Sequence, residues 1–175
     1  MYEGIDVRES TPGDTPALMN LYPAAFPDED LLPVLSELLG DQSLGLSLVA
    51  VHQGAVVGHI YFTDCAVPGN TGTVAILAPL AVMPALQRQG IGGALIREGI
   101  ARLKKADVRM VCVLGDPAYY GRFGFEREEE IITPYPLPEE WRDAWRSICL
   151  REDEETLKGT LSVPEPWRRP ERWSE

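Results

Sequence analysis

The sequence predicts an α/β (α+β) domain with a mixed, mostly antiparallel central sheet flanked by helices, and three observations carry that expectation. Apolar residues switch between a period of two and a period of 3.6 along the chain, so strands and helices are interspersed. Two apolar runs between Ser43 and Val67 meet at Gln53-Gly54, a short glycine turn of the hairpin kind. A nearly continuous apolar run, "TVAILAPLAV", leads into a glycine loop, a helical segment and a second apolar run, "VRMVCVLGD". That order predicts two parallel strands joined by a right-handed helical crossover.

Taken in order, "IDVRES" alternates and reads as a first strand. Thr11 and Pro12 open a helix with Asp14 in its first turn, expected to run to about Leu21, and "PAAFPDED" is a loop. "DLLPVLSELLGD" places Leu31, Leu35, Leu38 and Leu39 on one helical face, with Pro33 in the first turn and Gly40 as the stop. After the hairpin, "PGNTG" is a turn. Pro79 cannot donate to a ladder, so it marks a bulge or an unpaired stretch within its strand. Ile91, Leu95, Ile96, Ile100 and Leu103 then define a helix to about Lys105. "PAYYGRFGF" is a short helix or turn, and "EREEEII" follows it. "WRDAWRSICLRED" and "LKGTLSV" read as a pair of strands. The whole of 1–175 is expected to be one domain, with 164–175 a proline-rich tail that wraps the surface or frays.

Composition excludes several classes of function. The 175 residues are 45% hydrophobic, enough for a sizeable core, and carry a formal net charge of −11 with no basic stripe. Nucleic acid and membrane partners are therefore not expected. The start, "MYEGIDVRES", lacks the basic and apolar parts of a signal peptide, and no apolar run approaches the ~18 residues of a membrane span. Cys65, Cys112 and Cys149 are far apart and odd in number, which fits a reducing cytoplasm rather than a disulfide framework. His52 and His59 are the only histidines, and no metal-ligand spacing accompanies them.

The loop "QRQGIGG", Gln87–Gly93, holds the most specific signal. The first N–H groups of a helix have no partners within it, its dipole is positive there, and glycines let an anion approach the backbone. Leu95 breaks the dinucleotide fingerprint, and no Walker lysine follows the glycines. Taken alone, the glycines leave both phosphate binding and close helix packing open.

The flanking residues carry a resemblance. "QRQGIG" fits [Q/R]-x-x-G-x-[G/A] and resembles the pyrophosphate loop of the GNAT acetyltransferase superfamily; "PLAVMPALQ" before it and "LGDPAYYGRFGF" after it resemble that family's entry strand and closing aromatic segment. With "VPEPW" near the C-terminus the likeness is to the YhbS-like predicted N-acetyltransferases, over about Ile5 to Trp167. The resemblance implies acetyl-CoA as cosubstrate, lying in a cleft where two central parallel strands splay. It implies that Leu80, Ala81 and Val82 offer backbone groups to the pantetheine arm. Gln87, Arg88, Gln89, Gly90, Ile91, Gly92 and Gly93 would hold the pyrophosphate, chiefly by backbone N–H groups. Tyr120 matches the family's tyrosine near the thioester sulfur; packing beside Phe123 and Phe125 is the other reading of the same residue. His59, Asp64 and Asp116 are candidates for a base.

The implied function is transfer of an acetyl group to a primary amine of a small molecule or peptide. A CoA- or acyl-CoA-binding module without transfer is the alternative, and a purely structural domain is a third. The resemblance is compatible with a homodimer, and no residue pattern fixes the oligomeric state or the acceptor.

Overall fold

A computed structural model of the chain describes residues 4–151 and 157–174. The central sheet has seven strands in the order β1-β2-β3-β4-β5-β8-β6: β1 (Ile5–Glu9), β2 (Gly45–His52), β3 (Ala55–Cys65), β4 (Val74–Val82), β5 (Met110–Leu114), β6 (Glu126–Arg127) and β8 (Trp145–Cys149). β7 (Ile131–Ile132) and β9 (Gly159–Thr160) form a separate parallel pair. The helices are α1 (Thr15–Ala25), α2 (Leu32–Leu39), α3 (Ile91–Lys105) and α4 (Pro117–Gly121). The expected mixed sheet is present, with β4 and β5 as its parallel pair joined through α3. The chain packs as two compact units, Met1–Phe62 with Ala78–Ala101, and Thr63–Leu77 with Arg102–Glu175. β3 and β4 each run from one unit into the other.

In the first unit, β1 pairs antiparallel with β2 from Ile5↔His52 to Glu9↔Leu48. The turn into β3 has positive φ at both Gln53 (50°) and Gly54 (80°), the geometry of a two-residue hairpin whose twist matches its strands. The start of α1 is fixed by Asp14. Its carboxylate accepts from the Thr11 N–H at 2.7 Å and from Arg8 Nη1 and Nη2 at 2.8 and 2.9 Å. α1 runs four residues beyond the expected Leu21, through Pro23 to Ala25. Pro23 near the helix end removes a single bond, while Leu18, Leu21 and Tyr22 bury one face against Leu35, Val49 and Ala81. Gly40 ends α2 at φ −73°, without a left-handed turn; a Cβ there would lie 3.1 Å from the Ser36 carbonyl oxygen.

His59 sits wholly inside this unit on β3. Its Nδ1 is 2.6 Å from Tyr22 Oη and its Nε2 is 2.8 Å from Ser47 Oγ, which also accepts from Ser10 Oγ at 2.6 Å. Burial holds the imidazole pKa at about 3, so the ring stays neutral and both its nitrogens are engaged. An unfolded histidine titrates near 6.5, so the stability due to neutral His59 is complete above that value. It drains away as pH falls towards 3, by up to about 1.4 kcal/mol per pH unit. Asp14, held at about 2 chiefly by the Arg8 hydrogen bonds, adds a second loss only below about pH 4. Urea unfolding at a series of pH values should show stability declining from about pH 6.5. A His59→Gln variant should flatten that limb and leave the one below pH 4.

The second unit is built on β5. It pairs parallel with β4 from Val74↔Met110 to Ile76↔Cys112, and antiparallel with β8 from Met110↔Cys149 to Leu114↔Trp145. Pro79, whose peptide bond to Ala78 is cis, lies beyond the β4–β5 ladder. The expected pairing of "WRDAWRSICLRED" with "LKGTLSV" does not occur. β8 has β5 on one edge and β6 on the other, through Glu126↔Ser147 and Arg127↔Arg146. With both edges of β8 filled, Gly159–Thr160 pairs instead with Ile131–Ile132. Trp141 to Ala144 belong to the 3-10 turn Glu139–Ala144, and Glu152 and Asp153 lie outside the described residues.

The proline-rich tail is packed. Trp167 donates from Nε1 to Thr63 Oγ1 at 2.9 Å, and Trp173 donates to the Trp167 carbonyl at 2.9 Å. The Trp173 ring also meets Trp145 at 5.9 Å. Cys65 and Cys112 are buried thiols and Cys149 is exposed. Among the described residues no helix is long and apolar enough to cross a membrane, and no group of three or more His, Cys, Asp or Glu could hold a metal ion.

Candidate active site

The glycine loop is built by its neighbours on either side. Pro84–Leu86 form a 3-10 turn, with the Leu86 N–H bonded to the Met83 carbonyl at 2.9 Å. Arg88 (φ 63°) and Gly90 (φ 91°) both adopt the left-handed region, so the backbone reverses twice within three residues. At Gly90 that conformation is free of steric cost; at Arg88 it is a local strain held by the surrounding turn. The Ala94 N–H bonds to the Gly90 carbonyl at 3.0 Å, which makes Gly90 the N-cap of α3. Ile91, Gly92 and Gly93 are then the first three helical residues, whose N–H groups have no intrahelical acceptor.

Packing fixes where that helix end points. Ile91 is 1% exposed and Leu95 is fully buried. A Cβ on Gly58 would lie 3.2 Å from Ile91 Cγ2 and 3.1 Å from Leu95 Cδ1, and one on Gly99 would lie 2.2 Å from the Phe62 ring. Bare backbone at these two positions therefore lets α3 lie directly on β3.

The side chains of the loop divide into two kinds. Gln87 donates from Nε2 to the Val82 carbonyl at 3.1 Å, and Gln89 donates to the Ala85 carbonyl at 3.5 Å, so both amides brace the turn. Arg88 is exposed and, among the described residues, its guanidinium has no carboxylate partner. Leu80 and Val82 are half-buried while Ala81 between them is buried in the α1–α2 core, the alternation of a strand with one face in the interior. The arrangement offers three outward N–H groups, a helix dipole and a free guanidinium in one short loop, which suits a diphosphate.

Tyr120 belongs to the second unit. Asp116 caps α4 by accepting from the Ala118 N–H at 3.0 Å, so that candidate base is committed to the helix end. The Tyr120 ring packs edge-on to Tyr119 at 5.0 Å and to Phe125 at 5.6 Å. It lies over Gly115, where a Cβ would meet Cε2 at 2.4 Å. Burial, followed by neighbouring Tyr119 and Asp116, pushes its phenol well above the usual range, so the hydroxyl is protonated at any working pH. Among the described residues the hydroxyl has no hydrogen-bond partner. Asp64 is exposed, with partial burial raising its carboxyl.

Residues 6–127 match the family model described as an acetyltransferase (GNAT) domain. The chain belongs to the GNAT acetyltransferase family. Among curated proteins it is 40% identical to the uncharacterized N-acetyltransferase YjhQ of Escherichia coli over 140 residues, 76% of this chain and 77% of that one. It is 35% identical to the N-acetyltransferase YhbS of the same organism over 121 residues, 69% of this chain and 72% of that one. The crystal structure of Escherichia coli YhbS in complex with CoA superposes with a TM-score of 0.86 at 28% identity, covering 97% of this chain and 94% of that one. A GNAT acetyltransferase from Brucella melitensis in complex with acetyl-CoA gives 0.76 at 29% identity, over 94% and 99% of the two chains.

One feature of this GNAT chain carries no sequence signature. A cavity of about 420 Å³ opens in the second unit along the connection from β6 to β8, lined by residues from Arg127 to Trp145. Its charged and apolar lining residues are spaced irregularly through a connection without repeating periodicity.

Proposed function

We propose that this GNAT protein moves an acetyl group from acetyl-CoA to a primary amine by direct attack of the amine on the thioester carbonyl. The observation that carries the reading is the start of α3: left-handed Arg88 and Gly90 leave the N–H groups of Ile91, Gly92 and Gly93 outward at a positive helix end. Relatives of the same fold that hold CoA and acetyl-CoA support it. The backbone of Leu80, Ala81 and Val82 hydrogen-bonds the peptide-like pantetheine arm as an added strand would. Residues 87–93 grip the pyrophosphate, with Arg88 adding a guanidinium and Gln87 and Gln89 keeping the turn in shape. Tyr120 donates a hydrogen bond to the thiolate as the carbon–sulfur bond breaks. The reaction takes place in the cytoplasm, where the three thiols stay reduced.

The test has two parts. Calorimetry with acetyl-CoA should show one saturable site, and Arg88→Ala should weaken it by about tenfold, the scale of one charge-assisted contact. Free thiol should then appear when a panel of amines is added. Binding without thiol release for any amine would make the protein a CoA-binding module, and no binding would remove the cofactor altogether.

A further inference from the structure

The cavity along the connection from β6 to β8 is set apart from Tyr120 by the strand register. Trp145 in its wall pairs with Leu114, so these two side chains share one face of the sheet. The Tyr120 ring lies over the Cβ direction of Gly115, the next residue, and so over the other face. Glu128 sides with Trp145, because its Oε1 accepts at 2.6 Å from Oγ of Ser147, two residues further along β8. The cavity is therefore independent of the centre proposed for the transfer.

Its apolar lining is Ile132, Pro136, Leu137 and Trp145. The Trp145 indole is buried and held in place, with Nε1 donating to the Ile131 carbonyl at 2.8 Å and the Trp173 ring against it at 5.9 Å. Ile132, 52% exposed, is the exposed large hydrophobic side chain among the described residues. The polar lining is already satisfied. Thr133 Oγ1 donates to the Tyr135 carbonyl at 2.7 Å. Glu128 accepts from the Glu130 and Ile131 N–H groups through Oε2, besides Ser147 Oγ through Oε1. Arg127 pairs with Glu129 at 3.5 Å and Arg142 with Glu139 at 3.6 Å, all four side chains being exposed.

We infer that this cavity is a second binding site, on the sheet face away from Tyr120, for a small uncharged molecule with an apolar body. The inference stands whether or not the chain transfers acetyl groups. A lining whose polar atoms are satisfied offers contact area and no directional partner. A charged ligand would give up its water there and receive no hydrogen bond in return, and an anion would also meet the fixed charge of Glu128. A neutral ring gives up little water and covers Ile132. The volume lies within the roughly 300–1,000 Å³ of pockets that hold small ligands. A second copy of the chain would need a broad apolar face, whereas among the described residues Ile132 stands alone as an exposed large hydrophobic.

The probe is anisole on the full chain, with benzylamine and benzoate as ring compounds of similar size that carry one charge. Calorimetry should show saturable binding of anisole, with the two charged compounds at least about tenfold weaker. Ile132→Ser and, separately, Leu137→Ser should each weaken anisole by about fivefold, with circular dichroism confirming that the variants are folded. Saturating acetyl-CoA should leave the titration unchanged. No saturable binding of anisole overturns the inference, as does equal or tighter binding of a charged compound. Affinity untouched by both substitutions, or competition by acetyl-CoA, would put the probe elsewhere and overturn it too. Sedimentation should give the same mass for parent and Ile132→Ser; a dimer that Ile132→Ser dissociates would make a second copy the occupant and overturn the small-molecule assignment.

Discussion

Replacing Trp167 by alanine is expected to lower the melting temperature by about 10 °C or more. The side chain is 7% exposed, so its removal leaves a cavity of a size that costs ~3–5 kcal/mol in a core. Two further losses follow from its contacts. Thr63, fully buried on β3, loses the indole donor to its hydroxyl, and Trp173 loses the ring it packs against at 6.3 Å. Trp167→Phe separates the terms, because it keeps most of the ring volume and loses only the N–H; about 1–2 kcal/mol should remain. Thermal unfolding followed by circular dichroism measures both. An alanine variant that melts with the parent would mean that the tail lies on the surface, as the frayed alternative required.

The tail shows why parts of the fold escaped the sequence. Three prolines in twelve residues mark a segment that cannot form a helix or a ladder, and that is all local propensity reports. What holds it is a pair of tryptophans whose partners, Thr63 and Trp145, are far away along the chain. The same limit applies to Tyr22 and His59, bonded across 37 residues, and to the irregular connection that lines the β6–β8 cavity. Strand pairing failed for a related reason. "LKGTLSV" has strand character, but whether β8 has a free edge depends on β5 and β6. By contrast the hairpin at Gln53-Gly54, the parallel β4–β5 pair and the glycine loop at the head of α3 were legible, because turn chemistry, apolar period and helix-start chemistry are all local. At the candidate site the glycine-rich start of α3 was legible from the residues themselves. The roles of Gln87 and Gln89 as braces were not, since they depend on which carbonyl lies within reach.

Tyr120→Phe should lower kcat by about 10²–10³, the cost of removing one donor from a developing negative charge, while the affinity for acetyl-CoA stays within about threefold. Phenylalanine keeps the ring over Gly115 and its contacts with Tyr119 and Phe125, so the change removes the hydroxyl and nothing else. The chemistry also sets what the hydroxyl does. A thiol of pKa near 8.5 is already a stronger acid than an ordinary phenol near 10, and burial raises Tyr120 further. Full proton transfer from Tyr120 to the leaving thiolate is therefore uphill. A short hydrogen bond that strengthens as charge accumulates on sulfur needs no such transfer, and a hydroxyl without a protein partner is free to form it. The pH profile provides a second reading. With Tyr120 protonated throughout, kcat/KM should rise with pH in both proteins as the amine loses its proton, since about one lysine-like amine in 2,500 is neutral at pH 7. The two curves should run parallel, displaced by a constant factor. Curves that coincide would take Tyr120 out of the reaction, and curves that differ in shape would mean that its proton is transferred.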